Sequence, residues 1–99
     1  MSVRFHPEAV AELEEAALFY EQQREGLGGR FVVAIEAALL SIQDAPKRWP
    51  TFDQEVRRPM VRAFPYFILY SMEPKFILIL AVIHAHQRPL PWAYRRTSQ

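Results

Sequence analysis

Near residue 45 the pattern of apolar and polar positions changes from the period of helices to that of strands. Over residues 8–25, apolar side chains recur every three or four positions, which predicts an amphipathic helix. The glycine-rich segment 26–29 interrupts this pattern, and a second helical stripe follows over residues 30–44. The first half of the chain therefore predicts a hairpin of two helices.

Segments with the pattern of strands lie on both sides of this hairpin. Residues 3–5 alternate between apolar and polar and predict a short first strand. After the helices, residues 45–55 contain two prolines and predict an ordered loop. Residues 56–62 predict a strand, which Pro59 places at an edge because proline has no N–H to donate to a neighbouring strand.

The two clearest strands are predicted over residues 66–72 and 76–84, and the turn at 73–75 joins them as a hairpin. The second is apolar from 76 to 83, as in a central strand that is covered on both faces. If the helices cover one face, large apolar side chains remain on the other. A small monomer seldom leaves such a patch exposed, so we expect a binding partner or a homodimer.

The order of these elements predicts an α+β fold. An N-terminal strand and a helical hairpin precede a three-stranded, mostly antiparallel sheet, in the order β-α-α-β-β-β. A length of 99 residues fits one core, so residues 1–99 are predicted to form a single domain. Within it, residues 93–99 are predicted to be a frayed tail.

Composition narrows the class of protein. Hydrophobic residues make up 51% of the chain, as expected of a packed domain, and no cysteine is present. The absence of cysteine excludes disulfides, thiolate metal ligands and thiol nucleophiles, and it suits a reducing cytoplasm. The first residues lack the apolar segment of a signal peptide, and the run 76–83 is too short to cross a bilayer. We therefore expect a cytoplasmic protein with no membrane contact.

The net charge of +1 hides an asymmetry along the chain. Residues 1–25 have a balance of −4, residues 26–55 of −1 and residues 56–99 of +6. Six of the seven basic residues in the last segment are Arg, whose planar guanidinium suits phosphate or carboxylate recognition. One interpretation is a solvated helix followed by strands with Arg at their edges. The alternative, which the Arg content favours, is two faces with different partners.

Short motifs occur in a fixed order along nearly the whole chain. In sequence order they are Phe5-His6-Pro7-Glu8-Ala9, Arg57-Arg58, Phe64-Pro65-Tyr66-x-x-x-Tyr70, Ile79-x-Ala81-Val82-x-His84, Arg88-Pro89 and Trp92.

In order and spacing these motifs resemble the toxins of the bacterial RelE/ParE superfamily. The resemblance implies the toxin of a type II toxin–antitoxin system, of the kind that includes plasmid stabilisation proteins. Such a toxin is held inactive by a cognate antitoxin, whose amphipathic segment wraps it. It would inhibit growth when released, and it would meet operator DNA only through the antitoxin. The resemblance implies no cofactor.

One branch of the superfamily resembles RelE, which cuts mRNA in the ribosomal A site without a metal. That reaction needs a base for the 2′-hydroxyl, cations for the phosphate and an acid for the leaving oxygen. The candidates for these roles are His84 or His86 as base or acid, Arg58, Arg62 and Arg88 as phosphate clamps, and Tyr94 as a late acid or stacking ring.

Four positions depart from the nuclease pattern. Phe67 follows Tyr66, where RelE-like nucleases usually carry a catalytic Arg, and Met60 stands among the basic residues of the preceding strand. Gln87 and Pro91 occupy places where related C-terminal signatures often have Arg and Tyr. These departures weaken the nuclease hypothesis.

The other branch resembles ParE, which inhibits DNA gyrase by binding and needs no catalytic residues. The Phe64-Pro65-Tyr66 motif and the Ile79–His84 motif look closer to this branch, so we favour it. An inactive member that only binds its antitoxin and regulates remains a third hypothesis. The predicted surface for the target or the antitoxin consists of Arg57, Arg58, Arg62, Arg88, Trp92 and Arg95.

Several of these residues also have a structural interpretation. His84 is as well explained by strand packing as by catalysis, and His6 beside Pro7 is better explained as a helix cap. His84 and His86 would share a face if the strand continued, but no third metal ligand follows from the spacing, so no metal is predicted. Trp92 is expected to anchor the tail. Glu12, Glu14 and Glu15 of the first helix are expected to form a solvated face rather than a catalytic pair of carboxylates.

Overall fold

Two long helices pack against one face of the sheet. A short C-terminal helix contacts the long strand near the end of the chain. The protein is described by a computed structural model, in which residues 1–87 and 93–97 are described. Over these residues the elements are β1 (Ser2–Phe5), α1 (Pro7–Gln23), α2 (Leu27–Asp44), β2 (Thr51–Asp53), β3 (Val56–Arg57), β4 (Tyr66–Met72), β5 (Phe76–His84) and α3 (Ala93–Thr97).

The described strands form a five-stranded sheet in the order β1-β5-β4-β3-β2. β1 runs parallel to β5, and every other pair is antiparallel. The α+β class and the order of a strand, two helices and a mostly antiparallel sheet are confirmed. The register of β4 and β5 shifts between Leu69 and Tyr70, because Leu80 is an extra residue on β5.

The prediction of three strands after the helices missed one strand and overextended another. β2 lies within the predicted loop, where all three of its residues are exposed and no alternation marks it. The strand predicted over residues 56–62 ends at Arg57, since Pro59 offers no N–H to the sheet. Beyond Pro59, Met60 forms an isolated bridge with Phe67 of β4, where the N–H of Val61 also donates to the carbonyl oxygen of Tyr66 at 2.8 Å, and Ala63 then turns the chain with a positive φ of 70°.

The core between the helices and the sheet is built on four aromatic rings. Tyr20 of α1 and Phe31 of α2 each contact both Phe64 and Tyr66, with ring centroids 5.0–6.0 Å apart. Three of these four contacts lie within 5.2 Å, in the range of favourable edge-on aromatic pairs. These rings lock the helical hairpin to the start of β4.

The second face of the sheet is buried as well. Leu78 and Leu80 of β5 have no exposed surface, and Leu69 of β4 is 2% exposed. They form a second apolar cluster with Val56 and Ile83. The expectation that this face stays uncovered is therefore wrong, because the chain itself buries these residues. The argument from this face for a partner or a homodimer falls with it.

Within the tail 93–99 that is predicted to fray, the described residues 93–97 form α3. Arg95 within it is buried, with 3% of its surface exposed. Its neighbour Arg96 pairs with Glu73 at 3.2 Å and donates to the carbonyl oxygen of Gln54 at 2.8 Å. Arg96 therefore joins α3 to the β4–β5 turn and to the β2–β3 turn.

The described residues include no helix that combines the length and the apolarity needed to cross a membrane.

The turn between the helices depends on two glycines in different ways. Gly26 caps α2 with a φ of 88°, a left-handed conformation that side chains disfavour. Gly28 is buried where α2 approaches α1, and a Cβ built on it would lie 2.5 Å from the carbonyl oxygen of Ala17. Gly29 has open space around its Cα.

Changing Gly28 and Gly29 separately tests this close approach. Gly28→Ala should lower the free energy of unfolding by about 1–3 kcal/mol, because the added methyl group forces the helices apart. Gly29→Ala should raise it by up to about 1 kcal/mol, since alanine favours the helix and meets no neighbour. Urea unfolding of both variants measures the difference. Equal effects of the same sign would contradict the proposed packing.

Candidate functional site

A carboxylate and a guanidinium meet at the edge of β5. Arg95 donates from Nη1 to Oε1 of Glu12 at 3.0 Å and from Nη2 to Oε2 at 3.1 Å. It also donates to the carbonyl oxygen of Leu80 at 2.8 Å, while the N–H of Val82 donates to Glu12 at 3.0 Å. The prediction of a solvated Glu12 is thus wrong: its side chain is 19% exposed and that of Arg95 is 4% exposed.

The pKa of Arg95 reflects this environment. Burial acts to lower it, but the hydrogen bonds to Glu12 and Tyr94 and the charge of Glu12 outweigh burial and raise it. The guanidinium therefore stays charged, as a buried ion pair with bidentate geometry requires.

Tyr94 is engaged at the same place. Its hydroxyl donates to Glu8 and accepts from Nε of Arg95 at 3.3 Å. Its ring meets the ring of His6 edge-on. The structure therefore places Tyr94, a candidate acid or stacking ring, beside α1 and away from His84.

His6 caps α1, as predicted. Its Nδ1 accepts from the N–H of Glu8 at 3.1 Å, and the side chain is buried. This bond satisfies one of the free N–H groups at the start of the helix.

Arg57 serves the fold rather than an exposed surface. Its Nη1 donates to the carbonyl oxygens of Trp49 and Lys47, and its Nε is buried with no hydrogen-bond partner in the structure. The hydroxyl of Tyr70 donates to the carbonyl oxygen of Pro46 in the same loop. These two side chains hold the loop before β2 against the sheet.

Arg58 lies between two aromatic rings. Its guanidinium carbon is 4.5 Å from the ring centroid of Phe52 and 5.6 Å from that of Phe67. Both distances are within the range of cation–π contacts. Phe67, which lacks the charge of the nuclease pattern, here supplies a face on which Arg58 rests.

A cavity of about 240 Å³ joins Arg58 to His84. Phe52, Phe67 and Gln87 complete its polar and aromatic lining. His84 is half-buried and packs edge-on against Tyr66 at 5.2 Å. Its Nδ1 accepts from the N–H of His86 at 3.1 Å, so the two histidines are linked through the backbone of a turn.

His84 and His86 are expected to share a face only if the strand continues to His86. β5 ends at His84 and a turn follows, so this condition is not met. Their rings lie 5.4 Å apart. Within the described part of the chain, no group of three or more His, Cys, Asp or Glu side chains could hold a metal ion.

A groove of about 450 Å³ runs between α2 and the segment 59–64. Its floor is made of small side chains of α2, and Trp49 and Phe64 contribute to its aromatic walls. Arg30 and Arg62 both line it. Large apolar side chains stand exposed on its borders, Val33 at 63% and Met60 at 52%. Arg62 is thus brought to this groove and not to the Arg58–His84 cavity.

The described candidates do not converge on one point. Arg58 and His84 share a cavity, Arg62 lines a different groove, and Tyr94 is bonded to Glu8. Arg88, Pro91 and Trp92 lie outside the described residues.

Tyr66 offers no additional base. Burial raises its pKa, and the neighbouring Tyr20 and Glu15 raise it further. Its hydroxyl therefore stays protonated at neutral pH.

Neither the role of Glu12 nor the groove could be predicted from the sequence. Glu12 and its partner Arg95 are 83 positions apart, so local spacing could not pair them. The floor of the groove is formed by alanines of α2, and the helical pattern does not indicate that these small residues line a groove.

Comparison with known proteins identifies the family. The model described as the ParE toxin of type II toxin-antitoxin system, parDE, matches residues 3–89. The chain therefore belongs to the ParE toxin family, and it is a protein of the type II toxin–antitoxin class. This confirms the resemblance drawn from the motifs and its closeness to the ParE branch.

A solved structure shows the same fold. A chain described as "Chromosomal ParDE TA system from P. aeruginosa" superposes with a TM-score of 0.66 at 16% sequence identity. The alignment covers 87% of this chain and 97% of that chain. No curated protein matches the chain significantly in sequence.

Proposed function

We propose that this protein is the toxin of a cytoplasmic type II module, neutralised by a cognate antitoxin, and that it arrests growth by binding DNA gyrase. The observation that carries the proposal is the dispersal of the candidate catalytic side chains among the described residues: Arg58 and His84 share a cavity, whereas Arg62 and Tyr94 lie elsewhere. A toxin that binds needs a shaped and charged surface, whereas a toxin that cuts RNA needs several groups on one phosphate.

The chemistry of cleavage sets a demanding geometry. A general base must lie within about 2.6–3.2 Å of the proton it takes, with an acid and cations placed around the same phosphate. Here Arg58 is stacked on Phe52 and Phe67, and Tyr94 is bonded to Glu8. Phe67 stands where the nuclease pattern has Arg. Binding therefore fits the described side chains better than A-site cleavage does.

The two modes of action separate in one pair of assays. The purified toxin should inhibit supercoiling by gyrase, and its induction should cause DNA damage without codon-phased cuts in translated mRNA. Arg58→Ala, which removes a cation from an exposed aromatic surface, should weaken gyrase inhibition about tenfold. The matched control Arg24→Ala, an exposed Arg of the helix end, should leave it unchanged.

Three other outcomes are informative. Cuts at translated codons that disappear in Arg58→Ala or His84→Ala would replace the gyrase proposal with the nuclease hypothesis. A folded protein that is harmless without any antitoxin would identify an inactive, regulatory member. Gyrase inhibition that is indifferent to Arg58 would move the target surface elsewhere.

For the antitoxin, the groove between α2 and segment 59–64 is the proposed docking surface. Its floor is smooth because small side chains line it, and exposed apolar side chains flank it. Arg30 and Arg62 place two positive charges along it. An amphipathic helix of the antitoxin would fit here, with its apolar face in the groove and acidic residues beside the two arginines.

Placing a charge on the groove floor tests this surface. Ala37→Glu should weaken antitoxin binding on the order of a hundredfold, since a blocked central pocket removes about 2–4 kcal/mol. Ala11→Glu makes the same change at an exposed position of α1 and should have no effect. Isothermal titration of each folded variant with the purified antitoxin gives both affinities. Equal affinities for the two variants would place the antitoxin on another surface.

A further inference from the structure

The three methionines of the chain differ in how far solvent reaches them. Met1 is 54% exposed and Met60 is 52% exposed, whereas Met72 of β4 packs against the core between the helices and the sheet. Methionine is among the residues that most often lie inside a domain. Among the three, Met60 is thus the exposed one that lies away from the end of the chain.

Hydrogen bonds to β4 fix the backbone on both sides of Met60. The carbonyl oxygen of Pro59 accepts from the N–H of Ile68 at 3.0 Å. The N–H of Val61 donates to the carbonyl oxygen of Tyr66 at 2.8 Å. Pro59 and Val61 are buried, and successive side chains of an extended segment point to opposite sides. Met60 cannot exchange places with a buried neighbour, so its thioether stays at the surface.

This thioether lies on the groove between α2 and segment 59–64 (the α2 groove). Met60 lines the groove together with Trp49 and Phe64, opposite the small side chains of α2. Methionine is common at surfaces that bind partner helices, because its flexible and polarisable side chain adapts to an apolar face. A helix in the α2 groove would therefore contact Met60 as part of an apolar wall.

The chain contains no cysteine, so the thioethers of its three methionines hold all of its sulfur. Hydrogen peroxide converts a thioether to a sulfoxide. The oxygen–oxygen bond breaks, one oxygen forms the new bond to sulfur, and the other leaves as water. Sulfur loses two electrons and the peroxide gains them. Methionine sulfoxide reductases return the thioether.

The added oxygen changes what Met60 offers to a partner. A sulfoxide is polar, and covering it with an apolar helix face costs free energy unless a hydrogen-bond donor replaces water. A helix bound in the groove would cover Met60, so a peroxide reaches this side chain in the free toxin. Oxidation then acts on recapture of the free toxin rather than on the bound complex.

We propose that Met60 is a site of reversible oxidation, at which a peroxide converts the free toxin into a form that its antitoxin recaptures less readily. The proposal rests on the proposed docking of the antitoxin in the α2 groove, and it adds a chemical signal that controls the same surface. It does not depend on gyrase being the target.

Peptide mapping by mass spectrometry tests the modification site without any partner. After brief exposure of the full-length protein to hydrogen peroxide, Met60 should gain one oxygen as readily as Met1. Met72 should gain it about tenfold more slowly, because it packs against the core. Methionine sulfoxide reductases with dithiothreitol should remove the oxygen from Met60. Equal rates for Met60 and Met72 would overturn the modification site, whatever surface the antitoxin binds.

Isothermal titration with the purified antitoxin tests the consequence. Peroxide treatment of the wild type should weaken binding about tenfold, and treatment with the reductases should restore it. The matched control Met60→Leu keeps the volume and the apolar surface but has no thioether at this position, so peroxide should leave its binding unchanged. Met60→Gln, a polar side chain of similar length, should weaken binding about tenfold without any oxidant.

The outcomes separate this proposal from the docking surface. If Ala37→Glu weakens binding but peroxide and Met60→Gln do not, the groove holds the antitoxin and the oxidation proposal is overturned. If peroxide weakens the wild type and Met60→Leu equally, the effect belongs to another side chain and the proposal is overturned as well. If Ala37→Glu and Met60→Gln both bind like the wild type, the docking surface fails, and control of recapture by Met60 fails with it.

Discussion

The burial of β5 on both faces is the constraint on which the rest of the structure depends. Seven of its nine residues are buried, so each backbone group along it must find a partner within the chain. β4 pairs with one edge over its whole length, and β1 pairs with the first part of the other. The Glu12–Arg95 pair completes that edge at Leu80 and Val82, which ties α1 to the C-terminal helix. This one ion pair thus supplies the hydrogen-bond partners of Leu80 and Val82 and holds α1 and α3 beside β5.

The same constraint changes the meaning of the basic C-terminal half. An excess of arginine indicated a surface for a target, yet much of it serves internal contacts. Arg57 holds the loop before β2, Arg95 completes the β5 edge, and Arg96 joins two turns. Among the described arginines of this half, Arg58 and Arg62 are the ones that line a cavity or a groove. Because Arg58 lines the cavity beside His84 and Arg62 lines the α2 groove, the described surface fits recognition of protein partners better than catalysis on a single phosphate.

The elements that could be predicted from the sequence are those whose packed residues recur within one periodic segment. The helical hairpin, β4 and β5 are such runs, and the capping role of His6 follows from its local neighbours. What could not be predicted depends on residues far apart in the chain. β2 has no buried face to leave an alternating pattern, and α3 is fixed by Arg95 through a carboxylate 83 positions away. The covered second face of β5 escaped prediction for the same reason, since a pattern within one strand does not say what packs on it.

The central claim is that the charge of Glu12 holds the edge of β5 and α3 together. Its most direct test is the free energy of unfolding of Glu12→Gln beside that of Glu14→Gln, measured by urea denaturation. Glutamine keeps an oxygen for the N–H of Val82, but it removes the charge of the bidentate partner of Arg95 and leaves Glu8, at 3.7 Å, as the remaining carboxylate beside the buried guanidinium. We predict a loss of about 1–3 kcal/mol for Glu12→Gln and a change within about 0.5 kcal/mol for the exposed Glu14→Gln. Equal values for the two variants would contradict the account.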